Sequence, residues 1–188
     1  MKFKFVDLGA HGFVIEPRYW FWGWTRSGRV VGRPSVAQAL VRARSYLPRG
    51  WNFKIWDCQR PRFVQVLMIE SFRKRFRALH PEWTRSRVVK TVYGFAARPT
   101  PTVKRLDAHR NGGAIDLTLV DARGQELYMG TDHDDLTEVA ALDYYETKKK
   151  LMPRELEARD NRRRLKKAML RAGFEGLVAE WWHWSLDK

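Results

Sequence analysis

Near its C-terminus the chain reads AEWWHWSL, Ala179 to Leu186, which sets His183 within, and Glu180 directly before, a run of three tryptophans. A carboxylate and an imidazole among large apolar rings sit in a low-dielectric setting, where charges and lone pairs weigh more than in water. They are either a buried polar pair or part of a reactive site. On a regular strand residues three apart face opposite sides, so bringing both into one site requires a turn, a bulge or a helical step. A second pair lies in DAHRNGGAIDLTLVD. Asn111-Gly112 is a strong hairpin signal, because both central positions of that turn favour positive φ. With those two residues as the turn, Arg110 pairs with Gly113, His109 with Ala114 and Asp107 with Asp116. His109 and Asp116 then lie on one face as diagonal neighbours, about 7 to 8 Å apart at the backbone. Gly112-Gly113 equally supports a longer loop, so the register stays open.

His109, Asp116 and His183 together would offer Zn²⁺ three nitrogen or oxygen ligands and leave a fourth position for water, as in catalytic rather than structural zinc sites. Glu180 would stand beside that water as a base, and the chemistry would be hydrolysis. Each signal is weak alone. A single histidine is more often packed or on the surface, as expected for His11, His80 and His133, and Asp116 could be an ordinary turn-flanking acid. The one cysteine, Cys58, excludes an internal disulfide and a cysteine zinc cage, so any metal is held by nitrogen and oxygen.

These residues need elements to position them. Ser35 reads as the N-cap of a helix over VAQALVRARSYL, with Val36, Leu40, Ala43 and Leu47 at helical spacing. NFKIWD alternates as a strand. Pro61 opens a helix that buries Val64, Leu67, Met68, Phe72, Phe76 and Leu79, and Pro81 ends it. Trp83 to Thr102 is compatible with helix or loop. AIDLTLV is a strand by composition. PRELEARDNRRRLKKAMLRAGF is a long helix with Leu156, Leu165, Met169 and Ala172 inward, closed by Gly173. A last strand or strand pair, Leu177 to Leu186, carries the tryptophans. Helices around a few strands predict an α+β fold with a small, mostly antiparallel sheet.

At 188 residues and 44% apolar content, with nine Trp, ten Phe and six Tyr, the chain can bury a substantial core, and one domain over residues 1–188 is the simplest organisation. The net charge of +15 invites a nucleic-acid partner. Yet the basic residues are spread out, with only short blocks at Lys148 to Lys150 and Arg162 to Arg164, and no nucleic-acid motif accompanies them. The expectation is a solvated basic surface that attracts anionic polymers loosely, without specific nucleic-acid binding. No run reaches the roughly 20 apolar residues of a membrane span. The first residues make a poor signal peptide, which makes the cytoplasm the expected compartment, with the periplasm or wall reachable by another route.

In combination and in this order, HRNGGAIDLTLVD, MGTDHDDL, NRRRLKKAMLRAGF and EWWHW resemble the D-alanyl-D-alanine dipeptidases. That zinc peptidase family has relatives among D-Ala-D-Ala carboxypeptidases and some phage endolysins. WDCQRPRFVQ is similar to the family's Asp-x-Tyr-Arg-Pro segment, and RYWFWGWTRSGRVVG is a fainter match to its N-terminal substrate region; the resemblance runs from about Arg18 to Trp184. It implies that His109, Asp116 and His183 bind one zinc and that Glu180 is general base and then proton donor. It also implies that Arg60 stabilises the oxyanion or the substrate carbonyl, and that Asp134 holds the ammonium end of a dipeptide.

Three departures bear on substrate: Asp107 replaces the family serine two residues before the first zinc histidine, Gln59 its tyrosine, and Gly113 a further serine. In the hairpin register Asp107 faces Asp116 and puts a second carboxylate beside metal and substrate. The expected reaction is hydrolysis of D-Ala-D-Ala to free D-alanine. A peptidoglycan carboxypeptidase or endopeptidase of the same family is the catalytic alternative. A non-catalytic basic module for nucleic acid or wall polymer is the other, favoured only if a ligand or Glu180 were missing, and all four are present.

Overall fold

A computed structural model describes residues 3–99 and 108–186. In chain order the elements are β1 (Val6–Asp7), β2 (Val14–Ile15), α1 (Arg18–Phe21), β3 (Val31–Gly32), α2 (Pro34–Arg44), β4 (Asn52–Asp57), α3 (Arg62–Leu79), α4 (Arg85–Phe95), β5 (Ala114–Val120), α5 (Tyr144–Thr147), α6 (Pro153–Arg171), β6 (Glu175–Leu177) and β7 (Glu180–Ser185). Five strands form one sheet in the order β2-β4-β5-β7-β6, while β1 and β3 make a separate ribbon. Among the described residues only the β2–β4 pair is parallel; β1–β3, β4–β5, β5–β7 and β6–β7 are antiparallel, which makes the fold α+β as the sequence predicts.

Apolar patterning explains the layers. Every residue of β5 is buried, as suits a central strand covered on both faces. Phe53 and Ile55 of β4, Leu117 and Leu119 of β5, Leu40 of α2, Leu165 and Met169 of α6 and the tryptophans of β7 share one core. A second apolar cluster joins α3 to α4 through Val64, Met68, Ile69, Phe72, Phe76, Val88 and Val92, with Tyr19 of α1. The buried row of α3 is the i, i+4 series from Val64 to Phe76, so Leu67 and Leu79 fall off its edge at 41% and 62% exposure, contrary to expectation. Leu156 is likewise exposed, because α6 turns Ala158, Arg162 and Leu165 inward instead.

Local signals set the helix ends with one correction. Pro34, not Ser35, opens α2: proline lacks the N–H that would go unpaired there, so Ser35 lies inside the first turn and Arg33 is the N-cap. Thr84 caps α4 by accepting a hydrogen bond from the Arg87 N–H at 3.2 Å, which resolves the ambiguous middle segment as helix up to Phe95. Among the described residues no helix is long and apolar enough to cross a membrane.

Candidate active site

Three adjacent strands align three polar residues in one row: Asp57 of β4 is opposite Asp116 of β5, and Asp116 is opposite His183 of β7. Paired residues share a face of the sheet. The ladder from Ile55↔Leu117 would put Trp56 opposite Asp116, but an irregularity between Ile55 and Asp57 brings in Asp57 instead. The expected Asn111-Gly112 hairpin does not form. Ala108 to Gly112 make a compact turn in which the Ala108 carbonyl accepts from both the Gly113 and Ala114 N–H groups, at 2.8 and 3.0 Å, and β5 pairs with β4 and β7. Asp107 lies outside the described residues, and the carboxylate paired with Asp116 is Asp57. Gly112 has a φ of +73°, and a Cβ there would meet the Phe5 ring at 2.6 Å, so the turn requires glycine.

A bulge resolves the parity problem of Glu180 and His183. Leu177 is opposite Glu180 and Gly176 opposite Trp184, so Trp181, Trp182 and His183 bow out against no partner residue on β6. This brings Glu180 Oε2 to 3.9 Å from His183 Nδ1. His183 Nδ1 lies 3.1 Å from Asp116 Oδ1 and 3.1 Å from His109 Nε2, and His109 Nε2 lies 3.3 Å from Asp116 Oδ2. Nitrogen and oxygen ligands about 2.0 to 2.2 Å from a tetrahedral ion stand about 3.3 Å apart; the two histidine nitrogens meet that spacing, and with one atom from each residue the three lie within 4.8 Å of one another, a group that could hold a divalent cation such as zinc. His109 Nδ1 hydrogen-bonds the Cys58 carbonyl at 2.8 Å, which turns the lone pair of Nε2 toward the cluster.

Arg60 binds this cluster to its surroundings. Its Nε donates to Asp57 Oδ2 at 2.7 Å, its Nη1 to Gln65 Oε1 at 3.0 Å and its Nη2 to Asp116 Oδ2 at 2.8 Å, while the guanidinium lies 5.0 Å above the Tyr19 ring. Burial opposes the charge on Asp116, but His109 and the other two histidines around it hold its carboxyl well below the usual range. Glu180 shows the reverse: burial pushes its carboxyl up to about 7, against the pull of His183, and the charges of Asp116 and Asp134 add to the push. Asp134 adopts the left-handed region at φ 59° and lines the same cleft, with its Oδ2 buried and without a hydrogen-bond partner among the described residues. A cleft of about 270 Å³ brings Arg60, His109, Asp116, Asp134, Glu180 and His183 together, with Met68, Phe72, Phe95 and Leu177 as an apolar wall.

Sequence reasoning missed two neighbours. Asp57 orients Arg60 and stands 3.2 Å from His109 Nδ1. His133 is packed, as expected, but at the site: its ring lies 4.8 Å from Trp56, and its Nε2 is 3.6 Å from Asp116 and 3.7 Å from Asp134. Burial would strip its proton, but those two carboxylates outweigh it and hold the pKa above the usual histidine value. Register and packing create both roles, and only the Asp in WDCQRP could have signalled one of them.

The tryptophans prove to be core. Trp181, Trp182 and Trp184 are fully buried and do not line the cleft; Trp182 meets His133 edge-on at 5.5 Å, and Trp181 donates from Nε1 to Thr131 Oγ1 at 2.8 Å. The Arg162 to Arg164 block is not wholly solvated either. Arg162 is buried and donates to the carbonyls of Met129, Ala141 and Val139 at 2.8, 2.8 and 2.9 Å, so it pins the loop that carries His133 and Asp134. Burial lowers its pKa only to about 10, which leaves it charged at neutral pH.

Comparison with known proteins gives the family. The sequence profile described as D-Ala-D-Ala dipeptidase, peptidase M15, matches residues 15–188. The chain is 30% identical over 168 residues to a D-alanyl-D-alanine dipeptidase of Synechocystis sp., covering 81% of this chain and 68% of the relative. It is 28% identical over 199 aligned residues to one from Enterococcus faecium, covering 98% and 91%. It is 30% identical over 202 aligned residues to one from Streptomyces coelicolor, covering 99% and 92%. With nearly the whole chain matched and the histidine–aspartate cluster assembled beside the partly buried Glu180, this protein belongs to the D-Ala-D-Ala dipeptidase family of the M15 peptidases.

Proposed function

We propose that the chain hydrolyses the D-Ala-D-Ala dipeptide to free D-alanine, with one zinc held by His109, Asp116 and His183. The observation that carries this reading is His109 Nε2 and His183 Nδ1 3.1 Å apart, each within 3.3 Å of one of the two Asp116 carboxylate oxygens, with Glu180 at their edge, in a chain of this family. When bound, zinc supplies a Lewis acid for the peptide carbonyl and for the attacking water. Glu180, in its ionised form, takes a proton from that water and returns it to the departing amine. Arg60, held at fixed orientation by Asp57 and Gln65, donates to the oxygen on which negative charge builds. The unpartnered oxygen of Asp134 accepts the ammonium end of the substrate.

The test combines metal content with product release. About one zinc per chain and D-alanine release from D-Ala-D-Ala are expected; release only from a longer peptidoglycan peptide would move the protein to the wall-peptidase branch. Glu180→Ala is expected to keep zinc and lose on the order of 10²- to 10⁴-fold in kcat. His183→Ala is expected to lose both metal and activity. A fully active Glu180→Ala enzyme would sink the mechanism.

A further inference from the structure

α1 and the turn after it leave Trp20, Phe21 and Trp22 at the surface, 45%, 61% and 43% exposed. They are not loose. Trp22 meets Trp24 at 5.0 Å and Tyr19 at 5.6 Å, Tyr19 and Trp24 stack at 5.6 Å, and Trp20 covers Gly28 so closely that a Cβ there would touch its ring at 3.4 Å. Three adjacent large rings held open to water by a rigid base mark an interaction surface rather than scattered exposure. The segment itself is basic. Residues 17 to 32 carry Arg18, Arg26 and Arg29 and no aspartate or glutamate, with Arg18 paired to Glu16, in a chain whose net charge is +15. Arg26 and Arg29 stand exposed in the turn itself; Arg29 pairs with Asp7 yet keeps 68% of its side chain in solvent.

Ring geometry selects among anionic partners. Trp20 and Phe21 cross at 64°, and Trp22 and Trp24 at 63°, which forms a wedge rather than the coplanar platform that stacks on the flat face of a sugar. Aromatic rings backed by arginines match the headgroup level of a bilayer, where tryptophan is favoured and anionic phosphates meet the basic side chains. We propose that this apex docks the protein peripherally on anionic phospholipid, with Trp20, Phe21 and Trp22 entering the interface. Tyr19, at the base of the apex, lies under Arg60 of the cleft, so docking would hold the catalytic cleft close to the lipid surface.

Sedimentation with phosphatidylglycerol-containing vesicles and with pure phosphatidylcholine vesicles tests this, together with quenching of tryptophan emission by brominated acyl chains. Binding to the anionic vesicles with quenching is expected. Phe21→Ser, whose side chain is the most exposed of the three, is expected to weaken binding about tenfold with an unchanged thermal melt. Trp20→Ser combined with Phe21→Ser is expected to weaken it further. The proposal is overturned by absence of binding, by unquenched binding that Phe21→Ser leaves unchanged, or by partition onto peptidoglycan sacculi while vesicles stay bare.

Discussion

Glu180 carries a consequence that can be measured without substrate. Its carboxyl titrates near 7 in the folded, metal-free protein against an ordinary 4.5, chiefly because it is buried. Below about pH 4.5 it is protonated in both folded and unfolded chains and contributes no pH dependence. Between those two values the unfolded chain ionises while the folded one keeps its proton, so the metal-free protein loses stability as pH rises through that window. Urea midpoints taken at about pH 5 and pH 8 should fall with pH, and Glu180→Gln should lack that part of the fall; a variant with the parent slope would place the titration elsewhere. At this scale the cluster was legible, because His109, Asp116 and His183, with Glu180 beside them, are written in the chain and the fold brings them together. Asp57 and His133 were not, since one reaches the site through a bulge in β4 and the other through packing on Trp56.

Elements decide how firmly the loop that carries Asp134 is held. Arg162 of α6 satisfies three carbonyls of that loop, and its guanidinium lies 4.8 Å from the Tyr145 ring and 5.5 Å from the Trp181 ring. Arg162→Met keeps the bulk and strands those carbonyls, at a cost of about 3 kcal/mol or more. Urea denaturation should show that loss, and KM should rise because Asp134 is no longer fixed; a variant as stable as the parent would contradict the role. The block around Arg162 looked like solvated charge because composition does not reveal which arginine of a helix turns inward. The strand NFKIWD and the helix after Pro61 were legible from local period alone. The Asn111-Gly112 hairpin misled for a different reason: the turn signal is genuine, but β5 takes its partners from β4 and β7, many residues away. Local sequence encodes a turn, not the distant strand that completes the ladder.

For the whole molecule, the cluster ties together segments far apart in the chain: the turn before β5, β5 itself and the C-terminal β7. A cation held there joins them, and ligand linkage gives about 2.7 kcal/mol of added stability at a free concentration one hundred times Kd. Zinc should therefore raise the melting temperature and a chelator lower it, while His183→Ala should melt at one temperature with or without zinc. Equal zinc response in His183→Ala would show binding elsewhere. The overall charge of +15 bears on association with anionic partners and says nothing of the fold.

Cys58 offers a built-in clock for that clamping. Its thiol is fully buried, burial raises its pKa well above the ordinary value, and a Cβ on Gly32 would come within 2.7 Å of its sulfur. Its carbonyl is the group that orients His109. A protonated, enclosed thiol reacts with an alkylating reagent only when the end of β4 opens. The labelling rate of this single cysteine therefore reports how often the surroundings of His109 come apart, and if zinc is held as proposed it should slow that rate in the parent chain but not in His183→Ala.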